Sequence, residues 1–130
     1  METAEALPDE IRVVVADDEP LFVQMLQAML AAEEGIDVVA TARDGRMAVK
    51  LAAELRPDVI VMDVSMPVMD GIDATRRIRD QDATACVLIL TGGTAPGDVD
   101  RARKAGAAAY VTKDRIATDL IVEIRNLGGR

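Results

Sequence analysis

IRVVVADDEP, residues 11–20, joins an unbroken apolar run to a pair of aspartates and a proline. A continuous run rich in β-branched residues is typical of a strand whose two faces are both covered, as in a parallel sheet. Pro20 stands where the first turn of a helix accepts proline, because that position has no intrahelical hydrogen bond to lose. The stretch therefore predicts a buried parallel strand, a short acidic loop and a helix.

Five apolar runs recur along the chain, and segments with helical periodicity separate them. The runs occupy residues 11–16, 36–42, 58–62, 86–90 and 108–112. The helical segments span residues 20–34, 46–55, 71–80, 98–105 and 115–127. Strands that alternate with helices form βαβ units with right-handed crossovers and a parallel sheet. The sequence predicts a single doubly wound α/β domain with five strands and five helices.

Polar side chains stand at the carboxyl ends of four of these strands. Asp17 and Asp18 follow the first strand, Asp63 the third, Thr91 the fourth and Lys113 the fifth. Ligands of open α/β sheets bind beyond these ends, where the strand order reverses. In the flavodoxin-like order 2-1-3-4-5, the first and third strands are neighbours at that point. The three aspartates are then expected in one crevice, with Thr91 and Lys113 along its rim.

Such a cluster has a definite chemistry. Three neighbouring carboxylates repel one another, and a hard divalent cation such as Mg²⁺ relieves that repulsion. Asp63 would supply a nucleophilic carboxylate, Lys113 a cation and Thr91 a hydroxyl donor. These groups suit phosphoryl transfer to Asp63, since that reaction needs mainly positioning and neutralisation of charge. The product would be an acyl phosphate, which water hydrolyses and which therefore suits a timed signal.

Each of these side chains also has an ordinary structural explanation. Asp17 and Asp18 are well placed to cap the first helix. Asp63 and Thr91 resemble turn residues at strand ends, and Lys113 resembles a solvated surface lysine. Five polar residues at the same ends of four separate strands are harder to explain by coincidence. The combination favours a functional site.

Composition excludes several kinds of function. The 130 residues suit one domain. The 23 acidic and 15 basic residues give a net charge of −8, which argues against a surface that binds nucleic acid directly. The absence of histidine excludes Ser/His/Asp triads, histidine metal sites and a phosphohistidine on this chain. Any chemistry must rest on Asp, Lys, Thr and backbone groups.

The ends of the chain bear on location and domain bounds. No stretch has the 18 or more consecutive apolar residues of a membrane span, and METAEALPDE lacks the basic-then-apolar pattern of a secretory signal. A cytoplasmic location without membrane contact is expected. We expect residues 1–10 to form a loose leader, 11–127 the domain, and 128–130 its end or the start of a linker.

Four motifs together resemble the receiver domain of two-component response regulators. They are VVVADDEP, VIVMDVSMPVMDG, LILTGG and AYVTK, and the resemblance spans residues 11–127. It implies that Asp63 accepts a phosphoryl group from a phosphohistidine on a sensor histidine kinase. It also implies that Mg²⁺ is bound directly by Asp18, Asp63 and the main-chain carbonyl of Ser65, and by Asp17 through water. No enzyme activity is implied beyond the domain's own phosphorylation and dephosphorylation.

The same resemblance implies how the signal leaves the site. Thr91 resembles the switch hydroxyl that moves toward the phosphoryl group, and Lys113 resembles the cation paired with that group. Tyr110 resembles the aromatic residue that turns inward when Thr91 moves, although a lone tyrosine at a sheet edge is also a common packing residue. The surface of residues 98–127 would then be recognised by a partner or by a second copy in a homodimer.

The output of the domain is open at the level of sequence. DDEPLF, MDGIDATRRIR and AGAAAYVTKD resemble the branch whose receivers precede a helix-turn-helix domain, which implies regulation of transcription through an output domain that this chain lacks. The alternative is a stand-alone receiver that acts by protein–protein binding.

Two other kinds of protein would show a different pattern of residues. A phosphatase of the haloacid-dehalogenase type would carry a second aspartate where Ser65 stands, and it would have a cap insertion. An interaction module that is never phosphorylated would not need the complete set of site residues.

Two positions depart from the usual receiver pattern. Asp114 stands where a proline commonly follows the lysine, which leaves the geometry of that turn open. Gly92 and Gly93 stand where a small alanine usually follows the switch hydroxyl, and glycine widens the conformations of a loop. We therefore predict a mobile loop and an acyl phosphate that Gly93 leaves unshielded from water.

Overall fold

The computed structural model of the protein describes residues 10–92 and 96–129. Its centre is a parallel sheet of five strands in the order β2-β1-β3-β4-β5. The strands are β1 Ile11–Ala16, β2 Ile36–Ala42, β3 Val59–Asp63, β4 Val87–Thr91 and β5 Ala109–Thr112. The predicted strand order 2-1-3-4-5 is confirmed.

Five helices cover the two faces of the sheet, as predicted. They are α1 Pro20–Ala31, α2 Gly45–Leu55, α3 Gly71–Gln81, α4 Pro96–Ala105 and α5 Ile121–Gly128. The last helix begins later than the predicted residue 115, because a 3₁₀ turn, Lys113–Arg115, and a π-helical turn, Ile116–Leu120, precede it. No helix within the described residues is long and apolar enough to cross a membrane.

The burial of the strands explains why their sequences are continuously apolar. Every residue of β3 and β4 is buried, whereas the edge strands β2 and β5 are only partly buried. Alternate residues of the sheet face two separate aliphatic clusters, one beneath α1 and α5 and the other beneath α2, α3 and α4. The face toward α1 and α5 carries Val13, Val15, Val59, Val61, Leu88, Leu90 and Val111. Side chains that continue this alternation past the strand ends therefore emerge beside α1 and α5.

Backbone hydrogen bonds from two glycines hold the loop between β3 and α3, residues 64–70. The Gly71 N–H donates to the Val64 carbonyl at 2.8 Å, and the Gly45 N–H donates to the Met69 carbonyl at 3.0 Å. A Cβ atom added to Gly71 would lie 2.0 Å from the Asp63 carbonyl oxygen, and one added to Gly45 would lie 2.1 Å from the Met69 carbonyl oxygen. Both positions thus require glycine because backbone approaches backbone closely.

Val68, in the same loop, carries backbone strain. Its φ is +70°, and the Met69 N–H donates to the Pro67 carbonyl at 2.7 Å to close a three-residue turn. A β-branched side chain is unfavourable at positive φ, and the Val68 side chain is 73% exposed, so little packing offsets the strain. We expect Val68→Asn to raise the free energy of unfolding by about 1 kcal/mol in urea titrations, since asparagine tolerates this conformation.

A matched control for this substitution lies on α5. Val122 is also exposed but has a helical backbone, so Val122→Asn should leave stability unchanged or slightly lower. Equal loss of stability in both variants would show that position 68 is not strained.

Candidate functional site

The three aspartates meet at the carboxyl ends of β1 and β3. One carboxylate oxygen from each of Asp17, Asp18 and Asp63 lies within 4.8 Å of the other two. Asp17 and Asp63 are 1% and 5% exposed, while Asp18 is exposed. Asp17 and Asp63 continue the row of residues that faces α1 and α5, which is why neighbouring strands deliver them to one place. The three aspartates are thus brought together, as the strand order predicts.

Lys113 joins this cluster from the end of β5. Its ammonium nitrogen lies 3.0 Å from Asp63 Oδ1 and 3.7 Å from Asp17 Oδ2. The same nitrogen lies 4.4 Å from the centre of the Phe22 ring. Partial burial disfavours the charged ammonium, but the hydrogen bond to Asp63 and its negative charge outweigh that effect and raise the pKa of Lys113. Phe22 lies in the first predicted helix, residues 20–34, and the sequence predicted no role for it at the site.

The negative charge of the three aspartates is not fully neutralised by Lys113. Burial raises the pKa of Asp63; the hydrogen bond from Lys113 opposes this rise, and the negative charge of Asp17 adds to it. Asp17 Oδ1 accepts a hydrogen bond from the Glu19 N–H at 2.9 Å, whereas its buried Oδ2 accepts none from any described residue. A buried carboxylate oxygen without a donor, beside two further carboxylates, fits a hard divalent cation such as Mg²⁺.

The capping explanation for the first two aspartates does not match the structure. Glu19 is the N-cap residue of α1, and no side-chain hydrogen bond caps this helix. Pro20 begins the helix instead, as predicted. By contrast, Asp44 and Asp70 cap α2 and α3 through side-chain hydrogen bonds. The carboxylate of Asp18 and the Oδ2 of Asp17 are therefore available to the aspartate cluster.

The other residues singled out by sequence lie in the loop after β3 and on strands β4 and β5. Ser65 is exposed in the β3–α3 loop, directly after Val64. Thr91 is buried at the end of β4 and lies opposite Thr112 in the β4–β5 register. Tyr110, on β5, is 43% exposed and lines a surface cavity of about 280 Å³.

The structure describes the turn at Asp114 fully, but it describes only part of the glycine loop after Thr91. The chain after Lys113 continues without proline into the 3₁₀ turn that contains Asp114. Gly92 is exposed, and a Cβ atom there would meet nothing within 4 Å. The predictions about loop mobility and about Gly93 fall on residues 93–95, outside the described residues.

Comparison with known proteins identifies the family. A sequence profile of the response regulator receiver domain matches residues 13–125. The chain belongs to this family. This receiver domain is 44% identical over 113 residues to the transcriptional regulatory protein PdtaR of Mycobacterium tuberculosis (strain CDC 1551 / Oshkosh), in a match that covers 87% of the chain and 54% of PdtaR. The receiver domain spans about half the length of the transcriptional regulators it matches.

Solved structures of receiver domains have the same fold. The signal receiver domain of the putative response regulator NarL from Mycobacterium tuberculosis has a TM-score of 0.86 and 33% identity, covering 92% of this chain and 96% of that one. The response regulator domain of Thermotoga maritima CheB has a TM-score of 0.84 and 32% identity, covering 91% and 96%. The resemblance proposed from four sequence motifs is confirmed.

Proposed function

We propose that this receiver domain is a phosphorylation switch in which Asp63 accepts a phosphoryl group from a phosphohistidine on a sensor histidine kinase. The observation that carries the proposal is the contact of 3.0 Å between Lys113 Nζ and Asp63 Oδ1, beside the oxygens of two further aspartates. A nucleophilic carboxylate, a cation and a candidate metal site thus adjoin one another in a crevice at the sheet edge.

The donors around Asp63 suit Mg²⁺. We assign direct binding to Asp18, Asp63 and the main-chain carbonyl of Ser65, and binding through water to Asp17. These are all oxygen donors, which Mg²⁺ prefers, and the unsatisfied Oδ2 of Asp17 is an acceptor for such a water. When bound, Mg²⁺ would supply charge neutralisation for the phosphoryl oxygens.

The transfer follows from the roles of the chain's own residues. An oxygen of Asp63 attacks phosphorus; the new O–P bond forms as the P–N bond to histidine breaks, and the electron pair returns to the imidazole nitrogen. The Lys113 ammonium and the Thr91 hydroxyl stabilise the negative charge on the phosphoryl oxygens. In dephosphorylation, water attacks phosphorus, inorganic phosphate leaves, and the Asp63 carboxylate is restored. The domain therefore acts only on its own aspartate.

We propose that the signal leaves through the surface of residues 98–127. Movement of Thr91 toward the phosphoryl group would let Tyr110 turn inward from its exposed position. The cavity beside Tyr110 is lined by Val99 and Arg103 of α4 and Glu123 of α5, so this rotation would reshape a surface shared by two helices. A homodimer mate or an output domain would recognise that change.

We further propose that the output is regulation of transcription through a domain outside residues 11–127. Relatives that are named transcriptional regulatory proteins support this output, and a helix-turn-helix domain is the form that the sequence motifs favour. With a net charge of −8, this chain itself would make no direct contact with nucleic acid. The alternative is a receiver that signals by protein–protein binding alone.

The proposed function is tested with a small phosphoryl donor and intact-mass measurement. Incubation with acetyl phosphate and Mg²⁺ should add one phosphoryl group, and chelation of the metal should prevent the addition. An absence of adduct with acetyl phosphate, phosphoramidate and a phosphorylated kinase domain would favour a binding module. Steady turnover of generic phosphate monoesters would instead favour a phosphatase.

Metal binding should also be visible as a gain in stability. A ligand that binds only the folded state raises the free energy of unfolding by about 2.7 kcal/mol at a concentration of 100 times its dissociation constant. We expect saturating Mg²⁺ to raise Tm, and Asp18→Asn to remove most of that rise. Asp80→Asn, an exposed aspartate on α3, is the matched control and should keep it. Equal responses of the two variants to Mg²⁺ would contradict the assignment of Asp18.

A further inference from the structure

The Lys113 ammonium contacts two carboxylates and the face of an aromatic ring. Asp63 and Asp17 approach it at 3.0 and 3.7 Å, and the centre of the Phe22 ring lies 4.4 Å away. Phe22 is half-buried on α1 and packs against the core cluster beneath α1 and α5. It is the only phenylalanine among the 130 residues. The phenylalanine ring of this helix thus faces the ammonium that pairs with Asp63.

The contact is attractive for a physical reason that an aliphatic side chain cannot reproduce. The face of an aromatic ring carries negative charge density, and a cation within about 6 Å of the ring centre is attracted to it. Lysine ends in a compact charge on a flexible four-carbon chain, so its position depends on the groups around it. Phe22 is therefore a third group, beside the two carboxylates, that restrains the ammonium.

The ring differs from the carboxylates because the reaction does not alter it. Asp63 changes from a carboxylate to an acyl phosphate when the phosphoryl group arrives, so its hydrogen bond to Lys113 must be exchanged during the step. The attraction of Phe22 for the ammonium persists through that exchange. Lys113 can then meet the incoming phosphoryl oxygens without first being released into solvent.

We propose that Phe22 is a positioning residue for phosphoryl transfer, which holds the Lys113 ammonium at the place where the phosphoryl group arrives. This role rests on the proposed function of Asp63 and Lys113. It predicts that the electron density of the ring, in addition to its volume, sets the rate at which Asp63 is phosphorylated.

The chain permits a test at this ring alone. Because Phe22 is the only phenylalanine, expression with fluorinated phenylalanines replaces this residue and no other. Fluorine atoms withdraw electron density from the ring face while changing its volume little. We expect the rate constant for phosphorylation by acetyl phosphate to fall stepwise with each added fluorine, by about tenfold in total. A rate that is independent of fluorine number would overturn the proposal.

Four variants separate positioning from packing. Phe22→Leu should lose about as much rate as the most fluorinated ring, and Phe22→Tyr should recover most of it. Leu30→Val, a buried change on the same helix, should lower stability without changing the rate. In Lys113→Met, the remaining rate should no longer depend on fluorine number. A fluorine dependence that persists without the ammonium would overturn the proposal.

A spectroscopic measurement distinguishes failure of this role from failure of the proposed function. Protons above a ring face are shifted upfield, so the ε-methylene protons of Lys113 should lose an upfield shift in Phe22→Leu. If the unmodified protein shows that shift but takes no phosphoryl group from any donor, the proposed function and this role both fail. If it is phosphorylated normally and the fluorine series is flat, only the role of Phe22 fails.

Discussion

Asp63→Ala should abolish phosphorylation by acetyl phosphate or by a phosphorylated kinase, with a loss of rate on the order of 10³ or more. The side chain provides the only atom that forms the new bond to phosphorus in the proposed reaction, so no neighbouring residue can restore the product. Intact-mass measurement at fixed times with Mg²⁺ gives the rate. Asp73→Ala, an exposed aspartate in the first turn of α3, is the matched control and should be phosphorylated normally.

Stability of the Asp63 variants separates chemistry from folding. Burial raises the pKa of Asp63, so the folded state disfavours its charged form. This group therefore favours folding most when it is protonated, and that contribution is lost as the pH rises through its folded pKa. At neutral pH without metal, Asp63→Asn should thus raise Tm while removing phosphorylation. A phosphate adduct that persists in both Asp63 variants would place the phosphoacceptor elsewhere.

The second large effect is expected at Gly71, which begins α3. A Cβ atom there would lie 2.0 Å from the carbonyl oxygen of Asp63, so strand and helix must separate to accept alanine. We expect Gly71→Ala to lower the free energy of unfolding by about 3 kcal/mol, because rigid backbone leaves no flexible side chain to yield. Urea titration monitored by circular dichroism gives the change. The displaced Asp63 should also be phosphorylated more slowly in the fraction that remains folded.

Gly97 offers a matched control in another helix. A Cβ atom at this exposed position in α4 would meet nothing within 4 Å. Gly97→Ala should leave stability unchanged or raise it by up to about 1 kcal/mol, since alanine favours a helix over glycine. Similar losses in the two variants would show that glycine flexibility, rather than the close approach at Gly71, determines stability.

The sheet and the carboxylate cluster were predictable because both follow from rules that act over short sequence spans. Continuous apolar runs indicate strands that are covered on both faces, and polar residues at the strand ends collect at one edge of the sheet. Asp17 and Asp63 could therefore be expected together from the strand order. The contact between Phe22 and Lys113 could not, since it joins one helix to the end of a distant strand and no periodicity encodes it.

Local irregularities were also missed, for physical reasons. Ile116 and Leu120 are both buried and stand four residues apart, which is the spacing of an ordinary α-helix, so the π-helical turn left no mark on the apolar pattern. Gly45 and Gly71 lie at the starts of helices, where glycine often occurs without any close backbone contact. Their necessity comes from backbone atoms of other segments, whose approach depends on the complete fold.

The loop that begins after Asp63 is held by main-chain contacts at Gly45 and Gly71 and by inward side chains such as Met66, so its course depends little on its exposed side chains. Exchange of an exposed residue such as Val68 should therefore leave the Ser65 carbonyl, a proposed Mg²⁺ ligand, in place. The chemistry that all members of a signalling network share can thus stay constant while each member acquires its own surface. Two related signalling proteins can therefore bind different partners while the residues that carry out phosphoryl transfer stay the same.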